Sequence, residues 1–213
     1  MIDSVDRIDE GYIKFHLHWT EDKAPSGTRT LAHWRNKLYQ AGLIGAYPSG
    51  IGYGNISVRS EYGFLISGSG SGNHETASAG HFTRVTAYSI EDNTVHCRGP
   101  VKASSESLTH AAVYEAAPAV MAIVHAHHGG IWDALFGKAQ MTAEEASYGT
   151  PEMAREIERL FRETDVEARK FFLMAGHEEG IVGFGGSLRE ASRVLLQLLR
   201  VWQGAEEDGL GDG

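Results

Sequence analysis

The sequence predicts an α/β fold built on one sheet, mixed or antiparallel, with helices on its faces. Three observations predict it. Segments whose apolar residues recur every second position are interspersed with segments of helical period. Several strand-like segments follow one another directly, which favours antiparallel neighbours over a purely parallel sheet. The chain has 213 residues, 42% hydrophobic and 22% charged, without internal repeat or linker, which suits one soluble domain with a sizeable core.

The elements follow in order. Residues 12–20 alternate, with Ile13, Phe15, Leu17 and Trp19 on one face and Lys14, His16 and His18 on the other. That pattern predicts a half-buried strand, antiparallel or at a sheet edge. In 28–42, Leu31, Trp34, Leu38 and Ala41 recur at helical spacing, and Gly42 is a suitable terminator. A Gly- and Pro-rich turn (47–54) leads to strands at 56–59 and 62–66, and the small polar residues of 67–80 form a loop. Strands are expected at 82–89 and 94–98, a helix at 105–116 closed by Pro118, and a buried strand at 120–126. A short helix at 131–136 precedes a longer one at 151–163, which opens with Pro151 in its first turn. Strands at 171–175 and 181–184 and an amphipathic helix at 187–201, with Leu188, Ala191, Val194, Leu195 and Leu198 inward, complete the domain. Residues 1–203 form that single domain, and 204–213, acidic and glycine-rich, are expected to be a flexible tail.

Composition excludes several functions. The net charge of −9 argues against nucleic-acid binding, which needs clustered Lys and Arg, although a locally positive pocket can still hold a small anionic or phosphorylated substrate. A single cysteine, Cys97, forms no intrachain disulfide. The acidic opening is unlike a signal peptide, and no apolar run is long enough to span a bilayer. The expected location is cytoplasmic, with no membrane partner.

Chemistry concentrates in four places. In AIVHAHH (122–128), the two-residue period of a strand puts His125 and His127 on one face, where two imidazoles can converge on a metal ion. Their strand is otherwise apolar, so the imidazoles need a partner; the similar His16 and His18 lie on a polar face, where histidine is simply solvated. His177 follows the apolar FFLMA and offers a third ligand at a strand end. Three histidines leave a coordination position open, as catalytic zinc sites do. Ser104, Ser105 and Glu106 stand at a helix start, suited either to an anion or to plain capping, and His110, one turn on, reads as a packing group. Asn55 and the turn at Ser69 and Gly70 can donate hydrogen bonds to a phosphate.

Taken in order, GNIS, SGSG, SSES, VHAHH and GHEEG resemble the motifs of the class II aldolase/adducin family, of which the fuculose-phosphate aldolases are members. The resemblance runs from about residue 28 to residue 201. It implies a three-layer α/β/α domain with a central mixed, largely antiparallel sheet, assembled as a homotetramer. It also implies a divalent metal held by His125, His127 and His177, most simply Zn2+ with Mn2+ or Co2+ possible, and Glu106 as the acid/base group. Asn55, Ser69, Gly70, Ser104 and Ser105 would hold a substrate phosphate. The implied reaction cleaves or forms a C–C bond in a small phosphorylated sugar or oxo-acid through an enediolate. Other reactions of the family (epimerase, dehydratase, decarboxylase) and a non-catalytic adducin-like scaffold are the alternatives; a scaffold would not need all four metal-site groups, and Glu106 suits the aldolases better than the epimerases, which place aspartate there. The sequence departs from the pattern in three ways. The segment after His127 is short and lacks the tyrosine that completes a neighbouring subunit's site, with Tyr148 the nearest candidate. Glu178 and Glu179 are inserted after His177. Residues before 28 match no motif.

Overall fold

The computed structural model of the chain describes residues 11–209. The acidic opening (1–10) and the end of the expected tail (210–213) lie outside the described residues. In chain order the elements are β1 (His16–Glu21), α1 (Thr28–Gln40), β2 (Gly45–Ala46), β3 (Gly52–Tyr53), β4 (Asn55–Arg59) and β5 (Phe64–Ser67). There follow β6 (Phe82–Ser89), β7 (Thr94–Gly99), α2 (Ser107–Ala116), β8 (Ala122–His127) and α3 (Gly129–Leu135). The chain continues through α4 (Pro151–Glu163), α5 (Val166–Arg169), β9 (Phe171–Leu173), β10 (Gly180–Gly185) and α6 (Leu188–Gly209).

Eight strands form one sheet in the order β1-β7-β6-β5-β4-β8-β10-β9, while β2 and β3 pair separately. Within that sheet β1 and β7 are parallel and the other neighbours antiparallel, so it is mixed and largely antiparallel as expected. The first strand is at the edge, and its pairing is parallel. It is shorter than its alternation suggested, because Phe15 leaves the sheet to enter the core.

Strand alternation divides the apolar residues between two faces. Ile66, Val85, Ile123, Val182 and Phe184 face Leu108 and Val113 of α2 and Met153 and Ile157 of α4. On the opposite face, Ile56, Leu65, Val124 and Ile181 meet Leu31 and Leu38 of α1 and Ala191 and Leu195 of α6. Fully burying each such side chain stabilises the fold by about 1.5–3 kcal/mol. The result is three layers, α/β/α. In α6 the inward set ends on Leu199, with Val194 and Leu198 only half-buried. The helix also runs on to Gly209, into the stretch expected to be tail.

Two local devices bear on the site. The segment expected to be loop (67–80) holds two short 3₁₀ turns, and the buried Arg35 guanidinium ties it down by donating to the carbonyls of Ser71, Gly72 and Glu75. Gly54 has φ +74, and a Cβ there would meet Ile44 at 2.9 Å and the His125 carbonyl at 3.1 Å. Glycine at this turn therefore lets β4 begin flush against β8, with Asn55 opposite His125.

Candidate metal centre

On β8 the residues Ala122, Val124 and Ala126 turn to one face and Ile123, His125 and His127 to the other, towards α2 and α4. The strand is flanked by β4 and β10, so both imidazoles are fully buried. His177 joins them from the turn between β9 and β10, which the Gly180 N–H closes on the His177 carbonyl at 2.9 Å. One ligand atom from each of the three rings lies within 4.8 Å of the others. Tetrahedral zinc with Zn–N bonds of about 2.0–2.1 Å separates its ligand nitrogens by about 3.4 Å; His127 Nε2 and His177 Nε2 stand 3.1 Å apart. The donor set and its spacing fit a divalent ion. Gly180 keeps this space clear, since a Cβ there would come within 2.9 Å of the His177 ring and 3.2 Å of His125 Nε2.

Glu106 reaches into the same cluster. Its carboxylate, 1% exposed, lies 3.1 Å from His125 Nδ1 and 3.4 Å from His177 Nε2. The residue is not in the first helical turn as the sequence suggested. It is the N-cap of α2, in a turn where the Ser107 N–H bonds the Ser104 carbonyl at 3.0 Å and the Ser104 hydroxyl accepts from the Glu106 N–H at 3.3 Å. A tight turn before the helix, rather than the helix itself, aims the carboxylate across the sheet. Asn55 adds Nδ2 at 3.3 Å from His125 Nδ1.

The remaining polar candidates form a neighbouring patch. Gly68 and Ala103 bridge as antiparallel strands, the Ser69 N–H donates to the Lys102 carbonyl at 2.9 Å, and the Ser104 N–H to the Ser67 carbonyl at 3.2 Å. The turn at Ser69 and Gly70 thus lies against the segment carrying Ser104 and Ser105, which leads straight into Glu106. A cavity of about 290 Å³ opens at Ser69, Gly70 and Asn73, lined also by Gly11 and Tyr12. His110 packs beneath, its Nδ1 2.7 Å from the Ser57 hydroxyl, which in turn is 2.8 Å from the Tyr114 hydroxyl. Burial lowers the His110 pKa from 6.5 to about 3, so it stands neutral, and burial likewise raises that of Tyr114.

Residues 29–203 match the family model of the class II aldolase and adducin N-terminal domain. The chain belongs to that family. No curated protein matches it in sequence. Among solved structures it is similar to an L-fuculose-1-phosphate aldolase from Thermus thermophilus, at 23% identity and TM-score 0.63, covering 85% of this chain and 94% of that one. It is also similar to YgbL from Klebsiella pneumoniae, whose reaction is left open among aldolase, epimerase and decarboxylase (21% identity, TM-score 0.65, 90% and 92% covered). A sugar-phosphate aldolase from Thermotoga maritima matches at 18% identity and TM-score 0.63, covering 87% and 96%. At these identities the likeness is one of fold.

As a class II aldolase-family chain, it has three features around the histidines that its motifs did not disclose. Tyr148, fully buried, lays its ring 4.6 Å from that of His177, and its hydroxyl accepts from the Tyr12 N–H at 3.2 Å. Tyr148 therefore packs on a candidate ligand of its own chain. Residues 11–15, ahead of the matched region, reach the site by the same contact, with the Lys14 ammonium 3.8 Å over the Tyr148 ring. The third feature is Tyr47, inside the segment read only as a turn. Its hydroxyl donates to Glu179 Oε2 at 3.0 Å and lies 2.9 Å from His127 Nδ1. Of the two inserted carboxylates, Glu178 is exposed, while Glu179 lines a cavity of about 270 Å³ beside His127 together with Tyr47 and Tyr53. The available signal was the pair of tyrosines in AYPSGIGY, since a Gly- and Pro-rich turn has no conformational need of aromatic rings.

Among the described residues, no helix is long and apolar enough to cross a membrane.

Proposed function

We propose that the chain is a divalent-metal-dependent lyase of aldolase type, cleaving or forming a C–C bond in a small phosphorylated sugar or oxo-acid. The observation that carries this reading is a buried carboxylate set inside a buried three-histidine cluster: Glu106 at 3.1 and 3.4 Å from His125 and His177. His125, His127 and His177 would hold the metal, with zinc preferred because three imidazoles with an open position are one of its catalytic donor sets. When bound, that ion supplies Lewis-acid stabilisation of negative charge developing on substrate oxygens.

The chain's own residues do the rest. In the direction of bond formation Glu106 takes a proton from the carbon beside the substrate carbonyl, and in cleavage it returns that proton to the carbon released. Burial keeps water from competing for that proton. Asn55, whose Oδ1 is buried without a hydrogen-bond partner among the described residues, can orient substrate hydroxyls next to His125. Ser69, Gly70, Ser104 and Ser105 offer neutral hydroxyl and N–H donors to the phosphate, and the cavity at Ser69 and Gly70 gives it room. A cytoplasmic homotetramer is the setting this reading expects.

The test is metal content and product analysis on the purified protein. We expect about one zinc, manganese or cobalt ion per chain, activity abolished by chelation and restored by the metal, and an aldehyde plus a three-carbon fragment from a ketose phosphate. An epimer, a dehydrated product or carbon dioxide in place of those fragments would move the chain to another reaction of the family. Failure to take up metal from added zinc would sink the lyase mechanism and favour the scaffold.

A further inference from the structure

Tyr47 and Glu179 take no part in that proton transfer, yet they form an ordered chain of hydrogen bonds ending on a candidate metal ligand. A tyrosine has one hydroxyl proton. Tyr47 gives it to Glu179 Oε2 at 3.0 Å, so its oxygen must accept at His127 Nδ1, 2.9 Å away. That contact therefore requires the proton of His127 to be on Nδ1. Nε2 then carries no proton, and Nε2 is the atom 3.1 Å from His177 Nε2.

The surroundings hold this relay in place. The Tyr53 ring lies 4.8 Å from that of Tyr47 and 5.5 Å from that of His127, walling the contact. Glu179 sits at φ +65, a left-handed conformation that non-glycine residues rarely adopt. It does so within the turn that also carries His177, and its carbonyl accepts from the His128 N–H at 3.2 Å. One turn thus fixes a ligand and the carboxylate that polarises the hydroxyl bound to another ligand. A carboxylate or hydroxyl on the far nitrogen of a ligating imidazole sets its tautomer and orientation and strengthens it as a donor.

We propose that Tyr47 is a positioning residue for the metal: backed by Glu179, it holds His127 as the Nδ1–H tautomer and presents Nε2 to the divalent ion. The proposal rests on the reading of the three histidines as a metal site. It assigns a task to the hairpin of β2 and β3 and to the inserted Glu179.

The test compares the natural chain with Tyr47→Phe and Glu179→Gln, each as purified full-length protein stripped and reloaded with zinc. Zinc affinity by chelator competition should weaken about 10–100-fold in Tyr47→Phe, which keeps the ring against Tyr53 but removes the hydroxyl. Glu179→Gln should weaken it by less, under about tenfold, because the amide oxygen still accepts from Tyr47. The melting temperature of the stripped protein should be nearly the same in all three, which separates positioning from a packing role. Ring ¹⁵N NMR of the zinc-loaded natural chain should show His127 protonated at Nδ1. Affinity in Tyr47→Phe within about twofold of the natural chain would overturn the relay while leaving the metal site standing. So would a His127 protonated at Nε2, a result that decides the matter even if Tyr47→Phe does not fold. A natural chain that binds no zinc overturns the site and the relay together.

Discussion

Two His-x-His pairs stand on strands of one sheet and meet opposite surroundings. His16 and His18 lie on β1 at the sheet edge, exposed, and His18 stacks on its register partner His96 with ring centroids 4.5 Å apart. His125 and His127 lie on β8, inside the sheet and fully buried, with Asn55 and Gly180 as register partners on the flanking strands. The period of two puts both pairs on a single face, so spacing does not distinguish them. The difference comes from what neighbouring strands and turns deliver. β8 receives His177 from one side, Glu106 from the turn before α2, and Asn55 from β4, whereas β1 has a sheet partner on one side only. Burial adds the energetic pressure, because polar rings removed from water must be given partners or a ligand.

Removing the interior pair should have the greatest consequence. His125→Ala/His127→Ala is expected to take bound metal from about one ion per chain to none and to abolish activity, as measured by elemental analysis and product formation. Retention of the metal in that variant would mean the ion sits elsewhere. Next in size is Glu106→Gln, which keeps the shape of the side chain but removes the base. We expect kcat to fall by about 10²–10⁴ with the metal retained. A fall of less than about tenfold with metal in place would remove Glu106 from proton transfer.

Much of this was legible in the sequence, and the reasons differ by element. Strand β6 and helix α4 fall where the sequence put them, because a run rich in Thr, Val and aromatic residues and a Thr-Pro start are strong local signals. The three-layer sheet was legible through ordered motifs. The parallel pairing of β1 was not, since alternation reports a half-buried face and carries no direction. Nor was the start of α2, where the Ser107 N–H and hydroxyl both bond the Ser104 carbonyl and hold the chain in a turn two residues longer than helical spacing implied. The histidines and Glu106 were visible as residue types at suitable spacing. Tyr47 was not visible as a site residue, and Tyr148 only as the nearest candidate for a missing tyrosine, because their importance lies in contacts made across 80 residues to His127 and onto His177.

A smaller effect involves His110, the fourth buried histidine of this region. His110 stands neutral with its pKa lowered to about 3 by burial, against 6.5 for the free side chain. Below pH 6.5 the unfolded chain takes up a proton that the folded chain refuses until about pH 3. Stability is therefore complete above 6.5 and falls on acidification through that window, by up to about 1.4 kcal/mol per pH unit from this residue. Urea titrations of the metal-stripped natural chain and of His110→Gln between pH 7.5 and 5 should give a difference that narrows as pH falls. Parallel curves would show that His110 does not supply the slope.

The smallest effect belongs to the edge pair, and it is informative because it is small. His16→Ala/His18→Ala removes two exposed imidazoles and the stack of His18 on His96. It removes no contact with the three-histidine cluster, whose members lie on β8 and on the turn before β10. Surface substitutions of this kind change stability by about 0.5 kcal/mol or less, and metal content should be identical to that of the natural chain. A loss of metal here would mean that an exposed His-x-His on an edge strand binds as readily as a buried one, whatever its neighbouring strands deliver. Equal metal with unchanged activity would leave the neighbours of β8, and not the motif itself, as the reason that one pair belongs to a site and the other to the solvent.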